Sequence, residues 1–286
     1  MIRIVRPLNC LIAAASVMVG AMLAAPGLSN LARAAAAARG AVFVALLVCA
    51  GGYALNDCFD VASDRIVKPS RPLVGGKVGS GAAIAMAIAL WGTAGIVAEQ
   101  SGPVVTIFWA AWVILLGAYS WRIKTWGLAG NILVSVVSSS GFLLGAACLG
   151  RIEAGVLPAS ISITLHLARE TAKSAADVRG DREAHLRTTA VRLGARAALR
   201  LSLWCIAAAF ATSMLPLVLS KYGAAYFVAV AAGAYPLLAA SLRRIILSEK
   251  MPTGDERSRE AAAKSVATLL KLVMPVGLLA FFLEAI

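Results

Sequence analysis

The composition of this 286-residue chain excludes a water-soluble globular protein. Hydrophobic residues make up 60% of the chain and charged residues 14%, with a mean hydropathy of +0.83, whereas soluble domains carry about 25% charged residues. The same apolar excess excludes an intrinsically disordered chain. The formal net charge of +13 would suggest nucleic-acid binding in a soluble protein, but beside apolar segments it is typical of membrane-protein loops. We therefore expect a polytopic membrane protein without a nucleic-acid partner.

Nine apolar segments are long enough to cross a bilayer, which requires about 20 residues per helix. They predict an all-α fold of about nine transmembrane helices around a central cavity, in a single domain that covers residues 1–286. The sixth segment is the most polar of them, because it ends in Arg169, Glu170 and Lys173. In chain order, the segments are 5–25, 36–56, 79–98, 103–121, 127–149, 155–176, 196–219, 223–247 and 265–285.

Basic residues are distributed unequally between the two sides that this topology defines. The N-terminus and the loops after the even-numbered helices, with the adjoining helix ends, hold 23 of the 27 Lys and Arg residues. The other side holds only Arg33, Arg39, Arg151 and Lys221. Cytoplasmic loops carry the excess of positive charge in membrane proteins. We therefore predict a multi-pass protein of the cell membrane whose N-terminus and even-numbered loops are cytoplasmic and whose C-terminus lies outside.

Half of the 14 acidic residues lie in two short segments at helix ends. They are Asp57, Asp60 and Asp64 in the first acidic segment (residues 56–64), and Glu170, Asp177, Asp181 and Glu183 in the second acidic segment (residues 170–183). In the first, Asn56, Asp60 and Asp64 are spaced four residues apart, so they line one helical face. In the second, Asp177 and Asp181 show the same step.

A constant spacing relates the two acidic segments. Asp60 and Asp177 are 117 residues apart, Asp64 and Asp181 are again 117 residues apart, and an arginine follows both Asp64 and Asp181. This pattern indicates a degenerate internal repeat. Because the second and sixth predicted helices run in the same direction, both segments emerge on the cytoplasmic side, where they can face each other across one cavity.

The stacked carboxylates of the two segments predict a bound cation. Like charges four residues apart destabilise a helix, and charges near lipid cost more. Mg²⁺ prefers hard oxygen ligands and is typically shared between one or two carboxylates and substrate phosphates. We therefore predict that the two segments hold a diphosphate through bridging Mg²⁺. The alternative is a pair of solvated helix ends with incidental ion pairs.

A basic loop, residues 65–76, follows the first acidic segment. Its two prolines and two glycines predict an ordered loop rather than a helix. Lys68 and Arg71 are thereby held near the carboxylates, where they can neutralise phosphate oxygens, and Arg can do so with two parallel hydrogen bonds. The alternative is that these residues serve only as cytoplasmic positive charge.

These motifs resemble those of the UbiA-type intramembrane prenyltransferases over nearly the whole chain. The specific matches are Asn56-x-x-x-Asp60-x-x-x-Asp64, Lys68-Pro-Ser-Arg71-Pro-Leu and Asp177-x-x-x-Asp181. Smaller matches are Arg6-Pro-Leu-Asn9, Tyr119-Ser-Trp-Arg-Ile-Lys124, Gly130-Asn131, and a run from Ala168 to Lys173 that is most similar to the archaeal branch making digeranylgeranylglyceryl phosphate.

The resemblance implies an activity and a set of site residues. It implies Mg²⁺-dependent transfer of a geranylgeranyl group from its diphosphate to the hydroxyl of geranylgeranylglyceryl phosphate, through an allylic carbocation, in a protein surrounded by membrane lipids. The implied catalytic groups are Asn56, Asp60, Asp64, Asp177 and Asp181, which would hold two Mg²⁺ ions, with Lys68 and Arg71 on the diphosphate. Further implied contacts to diphosphate or acceptor are Tyr119, Lys124, Asn131, Arg169, Lys173, Arg6 and Asn9. No residue stands out as the general base.

Three other functions are compatible with parts of this pattern. An aromatic prenyltransferase would use an acceptor such as 4-hydroxybenzoate in quinone synthesis. A secondary transporter could also show repeats and intramembrane acids, but its site would lie near the bilayer midplane, whereas these acids lie at helix ends. A non-catalytic lipid-binding scaffold would bind the diphosphate without turnover.

Overall fold

The computed structural model describes residues 2–252 and 255–286, with side chains from Ile4 onwards. In this part of the chain every regular element is a helix, and there is no strand, which confirms the all-α prediction. The chain divides into two compact units. Unit 1 comprises the described residues of Met1–Ile123, with Val137–Ala159 and Ala285–Ile286, and unit 2 comprises Lys124–Val136 and the described residues of Ser160–Glu284. A single domain over residues 1–286 stays a prediction.

Fifteen α-helices follow one another in the described residues. They are α1 (Ile2–Val5), α2 (Pro7–Ala24), α3 (Leu31–Phe59), α4 (Val61–Val67), α5 (Ser80–Ser101), α6 (Pro103–Trp121), α7 (Leu128–Ser139), α8 (Gly141–Ala147), α9 (Val156–Ala176), α10 (Val178–Glu183), α11 (Thr189–Leu193), α12 (Ala195–Val218), α13 (Ala224–Ala229), α14 (Tyr235–Glu249) and α15 (Glu256–Ala285). Short 3-10 turns precede α3, α7 and α9, and a π-helical turn, Val230–Ala234, joins α13 to α14.

Eight of the nine predicted spans are helices long and apolar enough to cross a membrane, within the residues described. The sixth predicted span also forms a helix, α9, of 21 residues. Its last two turns carry Arg169, Glu170 and Lys173, which make it more polar than the eight. The chain is therefore a multi-pass membrane protein.

Small residues allow the helices of unit 1 to approach closely. Helix α3 packs against α2 and α5, and α8 packs against α2. The α3 alanines that face these neighbours, at positions 34, 38, 41 and 45, are at most 3% exposed. A Cβ atom on Gly145 of α8 would lie 1.8 Å from the carbonyl oxygen of Val17 on α2. Close backbone approach at small residues is the usual way in which membrane helices associate.

Substitution of Gly145 by alanine is therefore expected to destabilise unit 1. The added methyl group has no space beside Val17, and overpacking of this kind costs about 1 to 3 kcal/mol. Thermal melting of the detergent-purified protein measures the effect. The matched control is Gly92→Ala in α5, where a Cβ would meet nothing within 4 Å. Equal melting temperatures for the two variants would contradict the close contact.

Unit 2 is held together by contacts among its long helices. Ser202 Oγ of α12 donates to the carbonyl oxygen of Ala168 on α9 at 2.8 Å. The hydroxyl of Tyr235, at the start of α14, lies 3.1 Å from Ser213 Oγ of α12. Tyr226 of α13 stacks on Phe281 of α15 with ring centroids 5.4 Å apart. The first of these contacts fixes α9 against α12 shortly before the second acidic segment.

Candidate active site

The first acidic segment contains a short interruption of the helix at Asp60. Helix α3 ends at Phe59 and α4 begins at Val61, and Asp60 between them has φ −94° and ψ 0°. The amides of Asp60, Asp64 and Lys68 still donate to the carbonyl oxygens four residues earlier, at 3.0, 2.8 and 2.8 Å. The predicted common face of the asparagine and the two aspartates is therefore kept across the interruption.

Asp57 is the carboxylate that ties this segment to distant parts of unit 1. It is 3% exposed, and its Oδ1 accepts hydrogen bonds from the guanidinium of Arg6 and, at 3.0 Å, from Arg71 Nη1. The Arg6 guanidinium also lies 4.4 Å from the ring centroid of Tyr53. Asn9 Nδ2 donates to the hydroxyl of Tyr53 at 2.8 Å. The structure thus brings Arg6 to an acidic residue and Asn9 to Tyr53, the tyrosine on which the Arg6 guanidinium lies.

Asp64 is the second buried carboxylate, and it shares Arg71 with Asp57. Its side chain is 3% exposed, its Oδ2 accepts a hydrogen bond from Arg71 Nη1, and its Oδ1 lies 4.0 Å from Lys68 Nζ. Burial raises the pKa of the Asp64 carboxyl to about 6, although the charges of Arg71 and Lys68 oppose that rise. The two basic residues predicted from the loop therefore lie on the acidic segment.

The segment that carries Arg71 forms turns from Lys68 onwards, as its prolines and glycines predict, whereas the first three residues of the predicted loop, 65–67, belong to α4. The amide of Arg71 donates to the carbonyl oxygen of Lys68 at 3.1 Å. The amide of Gly75 donates to the carbonyl oxygen of Arg71 at 2.9 Å. Gly76 has a φ of +68°, a conformation that favours glycine. These turns fix the position of the guanidinium relative to α4.

Asn56 contacts the neighbouring aspartate directly. Its Nδ2 donates to Oδ2 of Asp60, so it orients that carboxylate through a hydrogen bond one helical turn away. Tyr119 lies half-buried near the end of α6, in the same unit. In unit 2, Lys124 is half-buried in the turn Ile123–Trp126.

The second acidic segment has the same backbone form as the first. Asp177 lies between α9 and α10 with φ −98° and ψ 3°. The amides of Asp177 and Asp181 donate to the carbonyl oxygens of Lys173 and Asp177 at 2.9 and 3.0 Å. The helix is therefore interrupted at an aspartate, without loss of the four-residue hydrogen-bond pattern, in both segments.

The side chains of the second segment are partnered differently. Glu170 is 9% exposed and pairs with Arg169 and with Lys173 Nζ, whose distance to Glu170 Oε2 is 3.3 Å. Asp181 is 9% exposed and accepts a hydrogen bond from Thr188 Oγ1 at 3.0 Å. Two of the predicted contact residues thus hold a carboxylate on their own helix.

The 117-residue spacing extends to the partners of the aspartates. Arg71 donates to Asp64, and Thr188, which lies 117 residues after Arg71, donates to Asp181. The position equivalent to Asp57 is Ser174, whose Oγ accepts from the amide of residue 190 at 3.0 Å. The internal repeat is therefore present in local contacts as well as in spacing, but the charges of Asp57 and Arg71 are replaced by neutral groups in unit 2.

Several residues receive roles that the sequence alone does not assign. Asp57 and Glu170 belong to the acidic segments, yet their spacing gives no sign that basic side chains converge on them. Tyr53 lies one helical turn before Asp57 and receives both N-terminal contacts. Asn131, predicted as a substrate contact, is 9% exposed and donates to Thr189 Oγ1 at 3.0 Å, which ties α7 to α11.

The carboxylate and amide oxygens of each acidic segment are the atom types that Mg²⁺ prefers, but the protein alone does not supply a full set of ligands. Among the described residues, no three His, Cys, Asp or Glu side chains lie together closely enough to hold a metal ion. Mg²⁺ usually keeps several waters and binds through one or two carboxylates plus substrate phosphates. The residues therefore fit an ion that takes part of its coordination from a phosphorylated substrate.

Sequence comparison identifies the family to which this arrangement belongs. The model of the UbiA prenyltransferase family matches residues 13–253, which include both acidic segments and the basic loop. The chain belongs to the UbiA prenyltransferase family. A digeranylgeranylglyceryl phosphate synthase from Hyperthermus butylicus is 33% identical over 98% of this chain and 95% of its own length. The resemblance drawn from the motifs is thereby confirmed, and the chain is a membrane-embedded prenyltransferase.

Solved structures of the UbiA fold agree with the helical architecture. One, of a digeranylgeranylglyceryl phosphate synthase, has a TM-score of 0.72 and 25% identity, covering 99% of this chain and 96% of the other. Another, of a UbiA homologue from Archaeoglobus fulgidus bound to GPP and Mg²⁺, has a TM-score of 0.64 and 16% identity, covering 96% and 98%. The all-α prenyltransferase fold therefore extends along nearly the whole chain.

Proposed function

We propose that this prenyltransferase transfers a geranylgeranyl group from geranylgeranyl diphosphate to the hydroxyl of geranylgeranylglyceryl phosphate, in the synthesis of archaeal ether lipids. The observation that carries this proposal is the match, over nearly the full length of both chains, to a relative named digeranylgeranylglyceryl phosphate synthase. The paired acidic segments and their basic partners supply the groups that a diphosphate substrate requires.

The basic side chains of unit 1 bind the diphosphate. Lys68 and Arg71 lie on the first acidic segment, and a guanidinium can bind phosphate oxygens with two parallel hydrogen bonds. Arg71 donates to both Asp57 and Asp64. Phosphate oxygens compete with Asp64 for Arg71, and a cation competes with Arg71 for Asp64. Asp57 can still accept a hydrogen bond from Arg71 and so keep the guanidinium beside the first acidic segment.

The carboxylates of the two segments would hold the metal. Asp60, Asp64, Asp177 and Asp181 would serve as ligands of two Mg²⁺ ions, with Asn56 as a further ligand or as the group that orients Asp60. When bound, Mg²⁺ neutralises the charge that develops on the departing diphosphate. Asn56 supports this role through its hydrogen bond to Asp60.

The reaction breaks the bond between C1 of the prenyl chain and the diphosphate oxygen. The resulting allylic cation is captured by the acceptor hydroxyl oxygen, which then loses its proton. Tyr119, Lys124, Arg169 and Lys173 are contacts for the diphosphate or for the acceptor phosphate. Membrane lipids surround the helices, whose exposed side chains include many large apolar residues.

The enzyme lies in the cell membrane with its N-terminus and acidic segments on the cytoplasmic side and its C-terminus outside. Within unit 1, the amide of Gly27 donates to the carbonyl oxygen of Ala285 at 2.8 Å. The end of α15 therefore lies beside the end of α2, away from Arg6 at the start of α2. An odd number of crossings places the two termini on opposite sides, which supports α9 as the ninth span.

The test is prenyl transfer by the detergent-purified protein supplied with geranylgeranyl diphosphate and Mg²⁺. Geranylgeranylglyceryl phosphate and 4-hydroxybenzoate are offered separately, each with and without a chelator. Product is expected only with the glyceryl phosphate and only when Mg²⁺ is present. If product forms with 4-hydroxybenzoate and not with the glyceryl phosphate, the enzyme is an aromatic prenyltransferase. If transfer continues in the presence of the chelator, the proposed role of Mg²⁺ is wrong.

A further inference from the structure

A small cationic cavity lies in unit 1, where α2 ends and α3 begins. It has a volume of about 220 Å³, and Leu149 and Arg151 of the turn after α8 contribute to its lining. Arg33, Arg151 and Asn30 are among its lining residues. Arg33 and Asp57 belong to the same helix and are 24 residues apart, which corresponds to roughly 36 Å at 1.5 Å per residue. The cavity is therefore separate from the first acidic segment.

The positive charge of this cavity is only partly balanced by the protein. Arg151 Nη1 donates to the carbonyl oxygen of Ala24 at 3.1 Å, which fixes the guanidinium at the end of α2. The other partner of Arg151 is Glu153, at 3.5 Å between Nε and Oε1, and both side chains are more than half exposed. Exposed pairs of this kind contribute little. Arg33 forms no ion pair within residues 2–252 and 255–286. Two guanidinium groups at one cavity attract an anion.

The walls of the cavity are held by close backbone contacts. A Cβ atom added to Gly20 of α2 would lie 2.2 Å from the carbonyl oxygen of Phe142. A Cβ atom added to Gly145 of α8 would lie 1.8 Å from the carbonyl oxygen of Val17. The ends of α2 and α8 therefore keep their separation. A site whose walls do not have to rearrange loses less free energy on binding.

Exposed apolar side chains lie next to the lining residues in the chain. Leu28, which lies between the lining residues Pro26 and Asn30, is 68% exposed, and Ile152, which follows Arg151, is 48% exposed. Val156, at the start of α9, is 52% exposed. A cationic cavity bordered by exposed apolar side chains matches an amphiphile with a phosphate head and hydrocarbon chains.

We propose that this cavity binds the phosphate head of an anionic membrane lipid. Arg33 and Arg151 contact the phosphate oxygens, as arginine does in other phosphate sites, and the lipid chains lie over Leu28 and Ile152. This site is independent of the prenyl-transfer reaction, and it lies on the side of the membrane that holds only four of the 27 basic residues.

Native mass spectrometry of the full chain in detergent tests the proposal. The probes are dioleoyl phosphatidylglycerol, dioleoyl phosphatidylcholine and inorganic phosphate. The phosphatidylglycerol is expected to bind, and Arg33→Gln is expected to weaken its binding about tenfold, which is typical for a lost charge-assisted hydrogen bond. The matched control is Arg39→Gln, an exposed arginine on the same helix outside the lining, which is expected to bind normally.

Several results would overturn this assignment. If Arg33→Gln and Arg39→Gln weaken lipid binding equally, the lipid is attracted by the overall positive charge and not by a specific site. Equal binding of phosphatidylcholine would remove the anionic head as the determinant, and inorganic phosphate binding as tightly as the lipid would indicate a soluble anion. Prenyl transfer by Arg33→Gln is expected to equal that of the wild type, and a parallel loss of transfer would contradict a separate site. Arg33→Lys, which keeps the charge, is expected to bind better than Arg33→Gln.

Discussion

Replacement of Asp57 by asparagine is expected to lower kcat/KM for prenyl transfer about 1000-fold, or about 4 kcal/mol. Asp57 is 3% exposed and binds both Arg6 and Arg71. Removing the charge of Asp57 takes away one of the two carboxylates that position Arg71, and the loss of one positioned group that stabilises developing charge lowers a rate about 100- to 1000-fold. Asparagine keeps the shape of the side chain, so the variant isolates the effect of the charge.

The loss should appear in the Mg²⁺ dependence as well as in the rate. Without the Asp57 charge, the carboxylate that remains for Arg71 is that of Asp64, and this ion pair then competes with Mg²⁺ for Asp64. Initial rates measured against Mg²⁺ concentration should therefore show a higher apparent KM for Mg²⁺ together with a lower kcat. Melting temperatures establish that the assay is run on folded protein.

A matched control separates this effect from a general loss of negative charge. Glu99, at the end of α5, is exposed, and Glu99→Gln is expected to have the wild-type rate and Mg²⁺ dependence. If Asp57→Asn lowers the rate but leaves the apparent KM for Mg²⁺ unchanged, Asp57 does not act through Arg71 and Asp64.

The fold could be predicted from the sequence because its determinants are local. Long apolar segments report membrane helices through hydropathy alone, and eight of the nine predicted segments have that character in the structure. The least apolar of the predicted helices, α9, forms over nearly the predicted residues. The repeated spacing of aspartates is equally local, since the four-residue step places side chains on one helical face.

The interruptions at Asp60 and Asp177 could not be predicted from that spacing. The backbone amides keep the four-residue hydrogen bonds on both sides of each aspartate, so a helical pattern and an interrupted helix present the same side-chain periodicity. The difference lies in the φ and ψ angles of one residue, and no periodicity reports them.

The partners of the buried carboxylates depend on tertiary structure. Arg6 precedes Asp57 by 51 residues and Arg71 follows it by 14, so only the folded chain shows that both arginines converge on one carboxylate. Asn131 and Thr189 are 58 residues apart, and their contact likewise depends on how α7 and α11 pack. The sequence therefore predicts which residues carry charge at each segment, whereas the folded unit determines which charges are paired.

Asp60→Asn and Asp177→Asn are each expected to lower prenyl transfer about 1000-fold, the upper end of the loss that follows removal of one group that stabilises developing charge. These aspartates lie at the same interruption in the two repeats. If both serve one reaction, the double variant should be no slower than the slower single variant, because residues that act as a unit are strongly non-additive. Initial rates of the four proteins at saturating Mg²⁺ measure this.

The neutral partner in unit 2 provides the control for these variants. Thr188→Val removes one hydrogen bond to Asp181 and keeps every charge, so a loss of about tenfold is expected from a bond to a charged group worth about 1.5 kcal/mol. Independent losses in Asp60→Asn and Asp177→Asn, multiplying in the double variant, would contradict a shared reaction centre. That outcome would mean that the repeat reflects the origin of the fold and not two halves of one metal–diphosphate site.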